Sequence, residues 1–561
     1  MSLSKNTIQT KPRVKGPAVR IASAIHSAAG LWFFILLSLV LFSGTLAVFA
    51  PEMDQLIYPE MRLSLPQKGV GKINPGAIYD AVTQAYPGMG ITYIDMAAHD
   101  RYAPAKTTII FPDNKRRTVS IDPYTAKIIG EIPDMTVHSF IARMHAVLFQ
   151  GLFGFYVVNF CGVLLLAITI SGLIIYKRFW KSLFKIPRFK RGTRILLGDL
   201  HRLIGLWSIG FLLIISLTGS WYFYNFPLAH LGLVPNIIET QPSPHNISQA
   251  DLDALGPQTP HRQSGAHLIS VVLSAYPDMT ITGIMPPMNL NMPFVVYGDR
   301  DEYLHGKDSN SISINPFTSE IIGANLSEDL SLSQYAFQGM SQLHHGELLP
   351  KNWGWPAQMI MKGIWFLCGL GTCFLSVSGL YFSLKRTRQS IKQLGWRKVW
   401  HWGKPWGGPM GLFKYINVLV LVALIAGYMH MVSMGQPKPA LPQQAFSSQQ
   451  AGPFNVSLRI KAGPRNDAIN PIQPGGRLMV FPNIEGGLFE DARTILIGLT
   501  KAKGSSARGV RVKGAEKIAF APLRLPRQLE GVEIWIELTQ WDGTTSRTQW
   551  ALSSGKNIAP L

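Results

Sequence analysis

The sequence predicts an α-helical membrane protein of five transmembrane helices. They come from a span–domain–span unit that occurs twice, with an α+β module outside the membrane in each copy and an all-β domain at the C-terminus. Three observations predict this. Five long apolar runs carry almost no charge in their interiors. The two halves of the chain match each other at constant offsets. The stretch 454–561 alternates apolar and polar residues between Gly, Pro and Asp turns.

The spans come first. Of 561 residues, 47% are hydrophobic and 15% charged, and the mean hydropathy is +0.15, too apolar for an ordinary soluble protein. Spans are expected at 22–50, 144–176, 199–229, 343–384 and 411–434, each with the roughly 20 apolar residues needed to cross about 30 Å of hydrocarbon. Lys362 and Lys414 stand near span ends, where a long side chain reaches the headgroups. The segment "LAVFA" resembles a signal-peptide cleavage site, but the apolar run before it is longer than a signal's, so it reads as an anchor.

The net charge of +21 is distributed as a membrane protein distributes it. The arm 1–21 holds Lys5, Lys11, Arg13, Lys15 and Arg20 and no acid. Within the link 177–198, "YKRFWKSLFKIPRFKRGTR" carries eight basic residues; within the link 385–410, "KRTRQSIKQLGWRKVWHWGK" carries seven; neither has an acid. The long segments 51–143 and 230–342 are balanced or acidic. This positive-inside asymmetry puts the arm and both links in the cytoplasm and the long segments in the periplasm of a bacterial inner membrane. It also removes nucleic acid as a partner, leaving the lipid bilayer. With five spans, the linker 435–453 and the domain 454–561 are periplasmic too.

The repeat is specific. His26/His201, Gly30/Gly205, Leu31/Leu206, Trp32/Trp207 and Gly44/Gly219 coincide at an offset of 175. "QAYPGM" (84–89) matches "SAYPDM" (274–279), "TVSIDPYTAKIIG" (118–130) matches "SISINPFTSEIIG" (311–323), and "ISGLIIYKR" matches "VSGLYFSLKR". In each outer segment a helix-like stretch such as 76–86 precedes strand-like runs, "TTIIF" and "RTVSID", which reads as a small module of helix and hairpin.

Four histidines occupy equivalent places in the repeat. His26 and His201 stand at the cytoplasmic mouths of the first and third spans, with His26 expected in its first turn. His145 and His344 precede the second and fourth on the other face. A lone histidine at a span end is ordinarily an interfacial polar residue. Two face-matched pairs instead suit haem iron, which takes an imidazole on each side of a flat ring. Gly30 and Gly205, one turn from their histidines, and Gly151, Gly154, Gly346 and Gly354 near the others would leave room for the ring. His345 competes with His344; "LHHGE" aligned on "MHAVL" favours His344. Arg202, Arg194 and Lys190 could meet haem propionates or simply belong to the positive-inside charge. The cysteines, Cys161, Cys368 and Cys373, all lie in spans, and no Cys-x-x-Cys-His motif is present, so the expected cofactor is haem b, two per chain. The Met-rich 285–293 stretch reads as a structural loop.

"AYPGM", "VSIDPYTAKIIG", "HRLIGLW" and "RMHAVLFQGLFG" together resemble the PepSY-associated transmembrane family, over roughly residues 20–390. The resemblance makes both outer segments PepSY-like modules. It implies a haem-containing oxidoreductase of the inner membrane, with a ferric siderophore as electron acceptor in iron uptake. No dinucleotide or Walker motif appears, so the electron donor is expected to be a partner protein, a free reduced carrier on the cytoplasmic side or a quinol. Two rival readings follow from the same residues: a membrane-anchored PepSY binding or regulatory protein that is no enzyme, and a quinol-linked cytochrome b subunit of a larger complex.

Overall fold

The structure, a computed structural model, describes residues 16–64, 70–111, 115–176, 183–235, 244–258, 260–394, 413–435, 443–462, 477–485, 492–500, 510–511, 513–515, 518–526 and 531–552. Most of the N-terminal arm, parts of both basic links and the start of the linker lie outside these residues.

The helices are α1 Pro17–Trp32, α2 Phe34–Ala47, α3 Ala50–Ile57, α4 Pro75–Ala85, α5 Val137–Val147, α6 Gly151–Ile175, α7 Thr193–Trp207, α8 Ile209–Phe223, α9 Gln249–Ala254, α10 Gly265–Ala275, α11 Leu332–His345, α12 Gly354–Leu394 and α13 Phe413–Gly435. Among the described residues three helical stretches are long and apolar enough to span a membrane: Gly151–Ile175, Ile209–Leu228 and Lys351–Arg386. The pair α1 and α2 makes a fourth if taken as one span, bent by 74° at Phe33. The last expected span is helical too, but its apolar part, Tyr415–Met429, is shorter.

Several boundaries differ from those read in the sequence. The region 144–176 is two helices, because Leu148 and Phe149 take positive φ and end α5 before α6 begins. The region 343–384 is likewise divided, since Gly346 closes α11 in the left-handed conformation, where glycine has no Cβ penalty. Helix α12 then runs to Leu394, into the expected link, because a basic tail "KRTRQSIKQ" costs a helix nothing once it has left the lipid.

The bend at Phe33 frees backbone groups that lipid cannot satisfy. Asn417 of α13 takes them up: its Oδ1 accepts from Ile35 N at 2.8 Å, and its Nδ2 donates to Trp32 O at 2.9 Å and Leu31 O at 3.3 Å. Helices α6 and α8 touch backbone to backbone, since a Cβ on Gly162 would sit 2.4 Å from the Gly219 carbonyl carbon. Small residues permit such close approach in a membrane.

The strands of the two outer modules are β1 Gly90–Asp95, β2 Ala105–Ile110, β3 Arg116–Ile121, β4 Ile128–Ile132, and β5 Thr280–Met285, β6 Phe294–Asp299, β7 Asn310–Ile314, β8 Ile321–Asn325. In each module a helix, α4 or α10, accompanies four antiparallel strands, two strands more than the helix and hairpin read in the sequence. The two modules share one eight-stranded sheet of order β4-β3-β2-β1-β5-β6-β7-β8. At the seam, Ile94 pairs with Ile284 and Asp95 with Gly283. Helices α4 and α10 cross so closely that a Cβ on Gly76 would lie 2.0 Å from Gly265 O. Asp80 of α4 caps α10 by accepting from Gly265 N at 2.6 Å and Ala266 N at 3.0 Å. Ile94, Ile109 and Ile121 of one module join Ile284, Ile312 and Ile314 of the other in a single core.

Among the described residues the C-terminal region is a sandwich of a five-stranded and a four-stranded sheet around one apolar core. Its first strand, β9 Gln443–Ala451, lies inside the expected linker 435–453. "QQAFSSQQA" reads as linker because it is polar; it is an edge strand that pairs only with its neighbour Phe454–Ala462 in that sheet and sends Phe446 against the core.

Candidate paired-histidine sites

His26 and His201 line one cavity of about 370 Å³ between α1, α6, α7 and α12, at the end of the bundle that carries the basic links. The cavity is otherwise mostly apolar, with Leu37, Leu165, Leu212 and Leu375 among its walls. Gly30 and Gly205 also line it, and the nearest atoms a Cβ on either would meet are 4.0 and 3.8 Å away. Arg202 and Arg386 stand among the lining residues. Neither histidine is in the first turn of an apolar span. Both sit in the helical half before a break, at Phe33 in one case and Ser208 in the other.

At the opposite end, the rings of His145 and His344 stand 6.2 Å apart between centroids, inclined at 36°. His345 is exposed and its Nδ1 contacts Ser341 O of its own helix at 2.8 Å, so His344 is the residue that faces His145. The Tyr222 ring lies 5.7 Å from His344.

All four imidazoles are held by Nδ1. His26 Nδ1 donates to Ile168 O at 2.9 Å, with Ser171 Oγ at 3.3 Å; His145 Nδ1 donates to Val40 O at 3.0 Å. A carbonyl only accepts, so the hydrogen is on Nδ1 in both. His201 Nδ1 meets Ser378 Oγ at 2.7 Å, and His344 Nδ1 meets Thr218 Oγ1 at 2.9 Å. These hydroxyls give their own hydrogens to Phe374 O and Ile214 O, at 2.7 and 2.8 Å. A hydroxyl so engaged accepts from the imidazole. With the hydrogen on Nδ1, Nε2 keeps its lone pair, the state in which a histidine can ligate metal.

The anchors follow the repeat. Ser171 and Ser378 are the serines of the matching "ISGL" and "VSGL" stretches. Ser43 Oγ, 3.4 Å from His145 Nδ1, and Thr218 are again 175 residues apart. The sequence reading overlooked them as second partners, although the Ser-Gly-Leu match was the available signal. Of the expected glycines, Gly151, Gly154, Gly346 and Gly354 do not make room for a ring. Gly151, Gly346 and Gly354 take positive φ in turns, Gly154 packs on Val147 O, and Trp365 covers Gly346. At this pair it is Gly44 that makes room, for the imidazole itself: a Cβ there would be 2.6 Å from His145 Cε1. Arg202 is also bonded to Asp199, Arg194 lies in a neighbouring cleft, and Lys190 lines neither. Arg386 was missed.

Polar contacts fix the sheet above the outer pair. The buried Asp299 at the end of β6 accepts from Lys351 Nζ at 2.6 Å, just ahead of α12, and His99 Nε2 lies 3.0 Å from the same oxygen. Burial alone would raise the Asp299 carboxyl, but His99 and Lys351 outweigh it and hold the group down at about 2. Asp54 Oδ1 accepts from His138 N at 3.0 Å, tying α3 to the start of α5.

A helical bundle with apolar membrane-length helices and paired histidines under a shared eight-stranded sheet defines a polytopic membrane protein. The chain belongs to the family of PepSY-associated TM regions, which it matches over residues 23–386. It is also 26% identical over 264 residues to a Pseudomonas aeruginosa protein described as uncharacterized; the match covers 44% of this chain and 63% of that protein.

Proposed function

We propose that the protein is an inner-membrane di-haem b reductase that carries electrons from the cytoplasmic side to a periplasmic acceptor, a ferric siderophore, releasing Fe(II) for iron uptake. The reading takes the two span–module–span units as a duplication with five spans, N-terminus in the cytoplasm and C-terminal sandwich in the periplasm.

The observation that carries it is the common state of the four histidines, each with Nδ1 bonded and Nε2 free. The donor set fits haem. The rings of His145 and His344 face each other 6.2 Å apart between centroids, with both Nδ1 atoms engaged, and would hold the iron between them. The His26–His201 cavity is lined by apolar side chains, glycines and two arginines, which suits a flat apolar ring with acidic edges.

Haem held by these histidines would supply one-electron redox chemistry. The protein's part is to hold and orient. Ile168, Val40, Ser378 and Thr218 fix the imidazoles, the leucines exclude water, and Arg202 and Arg386 would meet propionates. Along the chain His26 and Gly44, which touches His145, are 18 residues apart, at most about 27 Å of straight helix and less with the bend at Phe33.

A visible spectrum of purified protein tests the reading. Two b-type haems per chain in the reduced-minus-oxidised difference are expected, and His201→Ala should remove one of them. A colourless protein would favour the non-enzymatic rival. Retention of both haems in His201→Ala would sink the pairing. Mixing dithionite-reduced protein with ferric chelates then tests the acceptor.

A further inference from the structure

A second cleft, of about 840 Å³, opens beside the His26–His201 cavity and shares Arg202 and Phe382 with it. Its charge is one-sided. Arg188, Arg191, Arg194 and Lys385 line it as well. Asp199 engages Arg188 through both oxygens, at 2.8 and 2.9 Å, and also bonds Arg202. No acidic partner is seen for Arg191, Arg194 or Lys385 among the described residues. Nor can the rest of this side supply one, because residues 1–51, 144–198 and 354–436 contain no Asp or Glu at all. Thr193, the first residue of α7, also lines the cleft; no side chain caps that helix, and Gly192 before it has φ +85°. Cations in such number around a concave wall bind an anion with two or three charges far better than one with a single charge. Tyr381 and Phe382 add an aromatic side to the cleft.

We propose that this cleft binds the phosphate of a reduced flavin nucleotide and is the entry point for electrons. The inference rests on the di-haem reading, which requires an electron donor that gives up its electrons singly. Nicotinamides transfer hydride, whereas flavins pass electrons one at a time. The shared wall makes the cleft a donor site and distinguishes it from a general lipid-binding surface: a ring lying on Phe382 is adjacent to the cavity that His26 and His201 line. Oxidation of one reduced flavin releases two electrons and two protons. The protons stay on the basic side, and the electrons reduce two Fe(III) to two Fe(II) at the far side.

The test reads binding separately from redox activity. The full chain, in nanodiscs of zwitterionic phosphatidylcholine, is titrated into flavin mononucleotide and, separately, riboflavin, each followed by fluorescence anisotropy. The nucleotide is expected to bind at least tenfold tighter than riboflavin. Inorganic phosphate should compete, and Arg191→Gln/Arg194→Gln should weaken binding by tenfold or more with haem content unchanged. Equal affinity for the two flavins, or an unaffected double variant, overturns the proposal. So does loss of nucleotide binding in nanodiscs containing phosphatidylglycerol, which would assign the cleft to lipid phosphate. If the protein proves haem-free yet binds the nucleotide through its phosphate, the cleft stands as an anion site and the di-haem reading fails. If two haems are present and the nucleotide does not bind, only the cleft assignment fails.

Discussion

Replacing Gly44 by alanine puts a methyl group where the His145 ring now lies. The new Cβ would be 2.6 Å from Cε1 and 3.0 Å from Nδ1. Ordinary carbon contacts are about 3.6 Å, so the ring must retreat by about 1 Å, away from the 3.0 Å bond that Nδ1 makes to Val40 O. Overpacking of this kind costs about 1–3 kcal/mol. Alanine returns about 1 kcal/mol to a helix relative to glycine, so folding changes little. Ligand binding has no such offset, and the same 1–3 kcal/mol lowers the affinity of the outer site by roughly 5- to 150-fold. The assay is haem per chain by pyridine haemochrome, with the reduced spectrum recorded during titration against a haem-scavenging apoprotein. Gly44→Ala should lose the outer haem first and keep the inner one. Gly30→Ala is the comparison: its Cβ meets only Ile168 Cδ1 at 4.0 Å but points its methyl at the inner cavity, so the inner haem should be the one perturbed. A Gly44→Ala protein with two haems of unchanged spectrum and affinity would refute the placement of His145 as a ligand.

Other outcomes follow from the same geometry. Ser378→Ala and Thr218→Ala each leave a buried Nδ1–H without its acceptor, and loss of such an outer-shell partner costs about 10- to 100-fold in metal affinity. The first should weaken only the inner haem and the second only the outer, read by the same titration. For Asp299 the folded carboxyl sits at about 2, below the unfolded value near 3.9, so its contribution is present above pH 4 and is lost as pH falls from about 4 through 2. The full loss amounts to roughly 2–3 kcal/mol, of which about two thirds falls above pH 2.5; thermal melts between pH 7 and pH 2.5 should show that share in the wild type, and Asp299→Asn should lack it. Gly162→Ala would drive α6 and α8 apart, lowering the melting temperature without changing the pH profile.

The sequence made some elements easy to read and others not. Helix 76–86 and strands "TTIIF" and "RTVSID" are legible because local periodicity decides them, and they appear as α4, β2 and β3. The seam between β1 and β5 was not legible, since an edge strand's pattern says which face is buried but not which strand lies beside it. The same limit hid β9 inside a polar stretch. At the sites, the histidines stood out through their spacing, and the structure brings His26 to His201 and His145 to His344. Their anchors did not stand out. Val40 and Ile168 contribute backbone carbonyls, which no side-chain pattern can reveal, and the glycine that matters at the outer pair, Gly44, is remote in sequence from His145.

The β1–β5 seam has a consequence for how small this protein could be made. A chain cut in the link between α6 and α7 would leave each piece with a newly exposed strand edge, β1 or β5, and one histidine of each pair. Neither piece could cover that edge or complete a pair alone. Each could do both by meeting another copy of itself across the same edge, so half-length chains should be obligate dimers or should aggregate through that edge.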